Sequence, residues 1–244
     1  MNINNLIIPL IASISTLIGI IPTYFSKEKQ EILINKSLSF SLGIMLTLSF
    51  ISLIPEAFSY QKEMSLPNTI ILLIYIILGI ILSQLIDYYL NNKISNNNLY
   101  KLGIISIIAM IIHNIPEGIT TYLTTKENFS LGLKLSIAIA LHNIPEGISI
   151  AIPIYYSTKS RFKAFILTLF SGLSELLGSI IALLFIKETN PLIMTFILSL
   201  TAGIMIQISI YEIYPTIKQY NNKKMTYKYI IIGIITMFIC HLLL

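Results

Sequence analysis

Two copies of one six-residue phrase carry the chemistry of this chain: His113-Asn114-Ile115-Pro116-Glu117-Gly118 and His142-Asn143-Ile144-Pro145-Glu146-Gly147. Both lie inside long apolar runs. Residues four apart share one face of a helix, so each copy sets an imidazole nitrogen beside a carboxylate oxygen. Such a pair is half of a divalent-metal site. Proline lacks an N–H and frees the carbonyl four residues before it, here Ile112 and Leu141. In a membrane a freed carbonyl is tolerated only when buried in protein or facing a cavity. Gly118 and Gly147 admit a neighbouring helix, and Asn114 and Asn143 add an amide oxygen on the adjacent face. A lone intramembrane histidine reads as an interhelical hydrogen bond, and His241 takes that reading. A His–Glu pair repeated word for word does not. Two His, two Glu and two Asn are enough for one or two metal ions. The donors are nitrogen and oxygen with no cysteine nearby, which favours Zn²⁺, Fe²⁺, Mn²⁺ or Co²⁺ over Cu⁺. The metalloprotease string His-Glu-x-x-His is absent.

These half-sites need helices to hold them across a bilayer. The 244 residues are 55% hydrophobic and only 11% charged, with a mean hydropathy of +0.81. Soluble domains carry about 25% charged residues, so a multi-span membrane protein is the expectation. Eight apolar runs approach the length a helix needs to cross: about 6–25, 38–58, 69–90, 102–125, 131–156, 162–186, 191–214 and 229–244. The stretch Ser26–Asn35 reads as a polar connection, and Lys126-Glu127-Asn128 as a tight turn. Met1–Asn5 lacks the basic stretch and cleavage site of a signal peptide, so the first run reads as a retained span. The short loops leave one all-α, eight-helix transmembrane domain over residues 1–244. The single cysteine, Cys240, excludes a disulfide framework and a thiolate cage.

The net charge of +5 marks loops rather than a nucleic-acid partner. With the N-terminus outside, Lys27, Lys29, Lys36, Lys93, Lys101, Lys159, Arg161, Lys163, Lys218, Lys223, Lys224 and Lys228 fall inside. Only Lys62, Lys126, Lys134 and Lys187 fall outside, three of them followed by glutamate. The asymmetry places both termini outside a cell membrane and requires an even number of spans. The fourth span then runs outward and the fifth inward, with the two phrases antiparallel near mid-membrane. Matching motifs there are the expected form of a transporter's binding site.

The spans hold Glu56, Glu117, Glu146, Glu175 and Glu212 yet almost no Lys or Arg; Asp87 lies near the inner end of the third. A charge at the bilayer centre costs at least about 2.5–3.5 kcal/mol. Without basic partners, the acids point to bound cations, protons or water-filled cavities. A position near a span end accounts for Asp87 and is available to Glu56 and Glu212. It fails for Glu117 and Glu146; Glu146 is 12 residues past Lys134 and 13 before Lys159.

At these residues the chain resembles the ZIP family of divalent-metal transporters, in its bacterial zinc-uptake branch. The paired phrases carry the resemblance. Gly43-Ile44-Met45, Pro55-Glu56, Ser171-Gly172-Leu173-Ser174-Glu175 and Ala202-Gly203-Ile204-Met205 with Glu212 support it. The resemblance implies a metal centre between the fourth, fifth and sixth spans. His113, Glu117, His142 and Glu146 hold a primary ion; Asn114, Asn143 and Glu175 hold a second with the shared glutamates. It implies a methionine at the metal entrance, Met45, and acids along the route, Glu56 and Glu212. It further implies uptake into the cytoplasm, a homodimer in lipid, and a transport bundle moving against a scaffold. Two departures stand out. Leu176 follows Glu175 where the family often has proline, and the loop Asn91–Tyr100 is short and has no histidine.

The reading is therefore a transporter of Zn²⁺, with Fe²⁺, Mn²⁺ or Co²⁺ as further cargo, and not an enzyme. Two alternatives use the same acids: an intramembrane metalloenzyme, and a proton or cation channel. Di-iron proteins use Glu-x-x-His, whereas this chain has His-x-x-x-Glu. A proton relay leaves the histidines and prolines without a task.

Overall fold

The computed structural model describes residues 3–25, 29–63, 69–93, 98–186 and 190–242. Among these there is no strand. Eight helices are long and apolar enough to cross a membrane: α1 Ile7–Phe25, α2 Gln30–Gln61, α3 Thr69–Leu90, α4 Leu99–Glu127, α5 Phe129–Thr158, α6 Arg161–Phe185, α7 Pro191–Lys218 and α8 Lys223–Leu242. Lys27, Lys187, Glu188, residues 94–97 of the loop Asn91–Tyr100, and 243–244 lie outside the described residues.

The helices are separated by short caps. Asn128 alone divides α4 from α5 and accepts a hydrogen bond from the Leu131 amide at 3.1 Å. Ser160 caps α6 by accepting from the Lys163 amide at 3.2 Å, after Lys159 closes α5 in the left-handed conformation. Asn190 accepts from the Leu192 amide at 3.0 Å, and Pro191 follows at the first helical turn. Side-chain oxygens here replace the carbonyls that the first amides of a helix lack.

Two helices begin earlier than the sequence reading: α8 at Lys223 rather than 229, and α2 inside the polar stretch. The residues up to Asn35, read as a polar connection, are helical from Gln30. Asn35 is fully buried and donates to Thr226 Oγ1 of α8 at 3.0 Å. A polar residue satisfied by a neighbouring span belongs to the bundle, whatever its hydropathy.

The helices form two packed sets. α4 packs on α5 and α6, and α1 packs on α5 and α6; α2 packs on α8, and α3 on α7. Between the sets, α2 meets α5 and α4 meets α7. Close backbone approach is achieved through glycine. A Cβ on Gly118 would overlap the Glu175 carbonyl oxygen, and one on Gly147 that of Thr16. In the second set Gly43 and Gly233 serve the α2–α8 crossing as Gly203 and Gly79 serve α7–α3.

This correspondence is a pseudo-two-fold. Gly43, Ile44, Met45, Ser49 and Pro55 of α2 recur at one constant offset as Gly203, Ile204, Met205, Ser209 and Pro215 of α7. Both helices widen to a π turn at the same place, Ser49–Leu53 and Ser209–Ile213, just before the proline. The wider turn makes room where the proline ring would clash with the preceding turn.

Basic residues meet at one end of the molecule. Lys159 Nζ donates to Gln30 Oε1 at 2.8 Å, and Arg161 Nε to the Thr23 carbonyl at 3.2 Å. At the same end Lys101, at the foot of α4, pairs with Asp87 of α3 and lies 3.4 Å from Glu212 of α7. The expectation that the span acids have no basic partner is corrected for these two. One lysine near a helix end reaches both because its long stem lies along apolar surface.

Candidate metal centre

The two phrases face each other halfway along α4 and α5. His113 Nε2 and His142 Nε2 each lie 3.0 Å from one atom, Glu117 Oε1. His113 Nε2 is also 3.6 Å from Glu146 Oε1. The imidazole rings are 6.2 Å apart between centroids. His113, His142 and Glu146 each offer a ligand atom within 4.8 Å of the others. The His142–Glu117 contact is a hydrogen bond; the His113–Glu117 approach is close but lacks that alignment.

Both helices continue through their prolines, so the freed carbonyls are accommodated without a break. Hydroxyls bind the backbone beside them. Thr120 Oγ1 donates to the Pro116 carbonyl at 3.0 Å, and Ser41 Oγ of α2 donates to that of Pro145 at 2.9 Å. The second bond ties the two helix sets together at the level of the site.

A second layer of oxygens follows. Asn143 Nδ2 donates to Glu175 Oε2 at 2.8 Å and to the Ala12 carbonyl at 3.1 Å. Asn114 Nδ2 donates to the Ser171 carbonyl at 3.2 Å. A carbonyl only accepts, so each amide must turn its NH₂ toward α1 or α6 and keep its oxygen free. The structure therefore joins Asn143 directly to Glu175, while Asn114 is held on Ser171.

Many of these atoms have no hydrogen-bond partner among the described residues: both His113 nitrogens, Glu117 Oε2, both Glu146 oxygens, Glu175 Oε1 and the two Asn Oδ1 atoms. Buried polar atoms are almost always satisfied. A cluster of orphaned nitrogens and anionic oxygens fits a cation. A divalent ion takes such donors and offsets the repulsion between adjacent buried carboxylates.

A cavity of about 70 Å³ adjoins the cluster, lined by Glu117, His142, Thr120, Ser52 and Glu56 among others. Ser52 Oγ lies 3.2 Å from Nδ1 of His241. Glu56 thus shares a wall with the cluster. Glu212 sits with Lys101 instead. Met45 is fully buried in the apolar core, one turn below the cavity-lining Leu48. Ser52 and Thr120 escaped the sequence reading. The signal for both was spacing, since Ser52 precedes Glu56 by four residues and Thr120 follows Glu117 by three.

A family profile described as ZIP Zinc transporter matches residues 88–241. The chain is 32% identical over 283 aligned positions to a zinc transporter ZupT of Clostridium perfringens, covering 99% of this chain and 98% of the relative. It is 36% identical over 259 positions to a ZupT of Chlorobium limicola, covering 98% and 97%. A ZupT of Streptococcus mutans is 33% identical over 253 positions, covering 97% and 96%.

Proposed function

This chain belongs to the ZIP family of zinc transporters, and from that premise we propose that it takes up Zn²⁺ into the cytoplasm through the His–Glu cluster between α4 and α5. It is a multi-pass membrane protein and a metal transporter, not an enzyme. Fe²⁺, Mn²⁺ and Co²⁺ suit the same nitrogen and oxygen donors and are further cargo. His113, Glu117, His142 and Glu146 hold the primary ion. Asn114, Asn143 and Glu175 serve a second. Glu56 receives ions on the outer side, and Glu212 stands on the exit side.

One observation carries this reading: ligand atoms from two antiparallel spans converge at half height, with most of them lacking any other partner. The orientation rests on the basic end formed around Lys101, Lys159 and Arg161, which puts both termini outside the cell membrane. The apolar faces of α3 and α8, each with a span window only 22% buried, meet lipid and, in a homodimer, a second copy.

Zinc flux into proteoliposomes tests the assignment. Glu117→Ala and Glu146→Ala are expected to abolish saturable uptake. Unchanged saturable flux in both variants would remove the cluster from the transport route.

A further inference from the structure

The pseudo-two-fold extends to α1 and α6, and there it exposes a substitution. At one constant offset Ala12 corresponds to Ser171, Ser15 to Ser174, Thr16 to Glu175 and Gly19 to Gly178. The contacts agree. The Ala12 and Ser171 carbonyls take the amides of Asn143 and Asn114. Ser15 Oγ donates to the Ala12 carbonyl as Ser174 Oγ donates to that of Ser171. The backbone oxygens of Thr16 and Glu175 stand where a Cβ on Gly147 or Gly118 would fall. By this correspondence Thr16 is the counterpart of Glu175, and Asn114 that of Asn143.

The Glu175 carboxylate reaches Asn143. The threonine hydroxyl is two bonds shorter and forms no hydrogen bond with Asn114. Three oxygens of this counterpart set have no hydrogen-bond partner among the described residues: Thr16 Oγ1, Asn114 Oδ1 and Ser171 Oγ. Their residues are 1%, 0% and 0% exposed. Thr16 Oγ1 lies 2.9 Å from where a Cβ on Gly172 would be, beside Ser171. α1 also leaves regular α geometry here, with a 3₁₀ stretch over Thr16–Ile20.

We propose that Thr16 and Ser171, with the Asn114 oxygen that also serves the second ion, form a further cation subsite, the neutral-oxygen counterpart of the Asn143–Glu175 half. It takes the transported divalent cation with part of its water shell retained. Neutral oxygens alone do not offset full dehydration of a divalent ion. An anion is at hand in Glu146, whose neighbour Gly147 packs on the Thr16 backbone and whose two oxygens have no hydrogen-bond partner among the described residues. Occupancy here is weaker and exchanges faster than on the carboxylate side. The subsite is a staging position beside the primary ion, and the two-fold is broken so that only one flank binds firmly.

This inference rests on the metal-transport reading, and its test separates the two. Zinc binding to purified protein in detergent is measured by titration calorimetry, with thermal melting as a check on folding. Thr16→Val keeps the shape and removes the hydroxyl. It is expected to weaken the weakest class of zinc site about tenfold, the scale of losing a ligand-orienting or outer ligand group. Thr16→Ser is expected to restore it. Ser171→Ala places at α6 the residue that α1 already carries at Ala12, so the fold accommodates it, and it is expected to weaken the same class. Wild-type isotherms for Thr16→Val and Ser171→Ala overturn the subsite. Wild-type isotherms for Glu117→Ala overturn the underlying metal centre instead.

Discussion

Glu117 differs from the other acids in touching both imidazoles through a single oxygen, 3.0 Å from each Nε2. Glu56 lines the same cavity but makes no such contact. Their expected phenotypes therefore divide. Glu117→Gln keeps volume and hydrogen-bonding capacity but removes the charge that, in the proposed site, holds the ion between the histidines. Maximal zinc flux should fall by at least about tenfold, as when a residue acts on the rate-limiting state. Glu56→Gln removes only a charge that, on the proposed route, gathers cations at the approach. The half-saturating zinc concentration should rise several-fold, and more at low ionic strength, with maximal flux preserved. Initial-rate uptake against zinc concentration distinguishes the two. A loss of maximal flux in Glu56→Gln would place that residue in the binding centre.

Helix spacing is what brings α6 and its Glu175 to the site, and glycine sets that spacing. A Cβ on Gly118 would strike the Glu175 backbone oxygen, and one on Gly178 the Ile115 backbone oxygen. At Gly103 the obstacle is the flexible end of the Ile154 side chain. Gly118→Ala and Gly178→Ala should each lower stability by about 1–3 kcal/mol, the scale of overpacking a closed contact, and reduce zinc flux. Gly103→Ala should cost clearly less. Thermal melting in one detergent ranks the three, and equal melting temperatures would mean that close approach is not the constraint. The glycines of the repeated phrase were legible in the sequence because local spacing carries their meaning. So were the eight apolar helices and the pairing of His113 with Glu117. What was not legible depends on partners far along the chain. Asn35 looks like loop until Thr226, 191 residues away, accepts its amide. Asp87 and Glu212 look unpaired until the fold delivers Lys101. The correspondence of Gly43-Ile44-Met45 with Gly203-Ile204-Met205 lay open in the sequence, but only the packing gives it a symmetry axis.

For the whole molecule, the two helix sets are tied at one end and enclose a cavity toward the other. Lys101 of α4 holds Asp87 and Glu212 of α3 and α7 at the basic end, with side chains 15%, 22% and 11% exposed. Toward the opposite end lies the cavity that Glu56 and Ser52 share with the cluster. In the uptake proposed above, working by alternating access, the tie must break for an ion to leave at the basic end, the cytoplasmic end of that proposal. Lys101→Ala removes it and leaves two acids facing each other. A charge-assisted hydrogen bond contributes about 1.5 kcal/mol, and a shift of that size changes a two-state population about tenfold. Ser106 reports on this equilibrium: it is fully buried on α4, two turns inward of His113. In a Cys240→Ser background, Ser106→Cys should react about tenfold faster with a membrane-impermeant thiol reagent from the cytoplasmic side when Lys101→Ala is present, as the population shift requires. Excess zinc should alter that rate only while Glu117 is intact, because a ligand moves the equilibrium only through its differential affinity for the two states. Equal labelling with and without Lys101 would mean that the triad does not hold the cytoplasmic end closed.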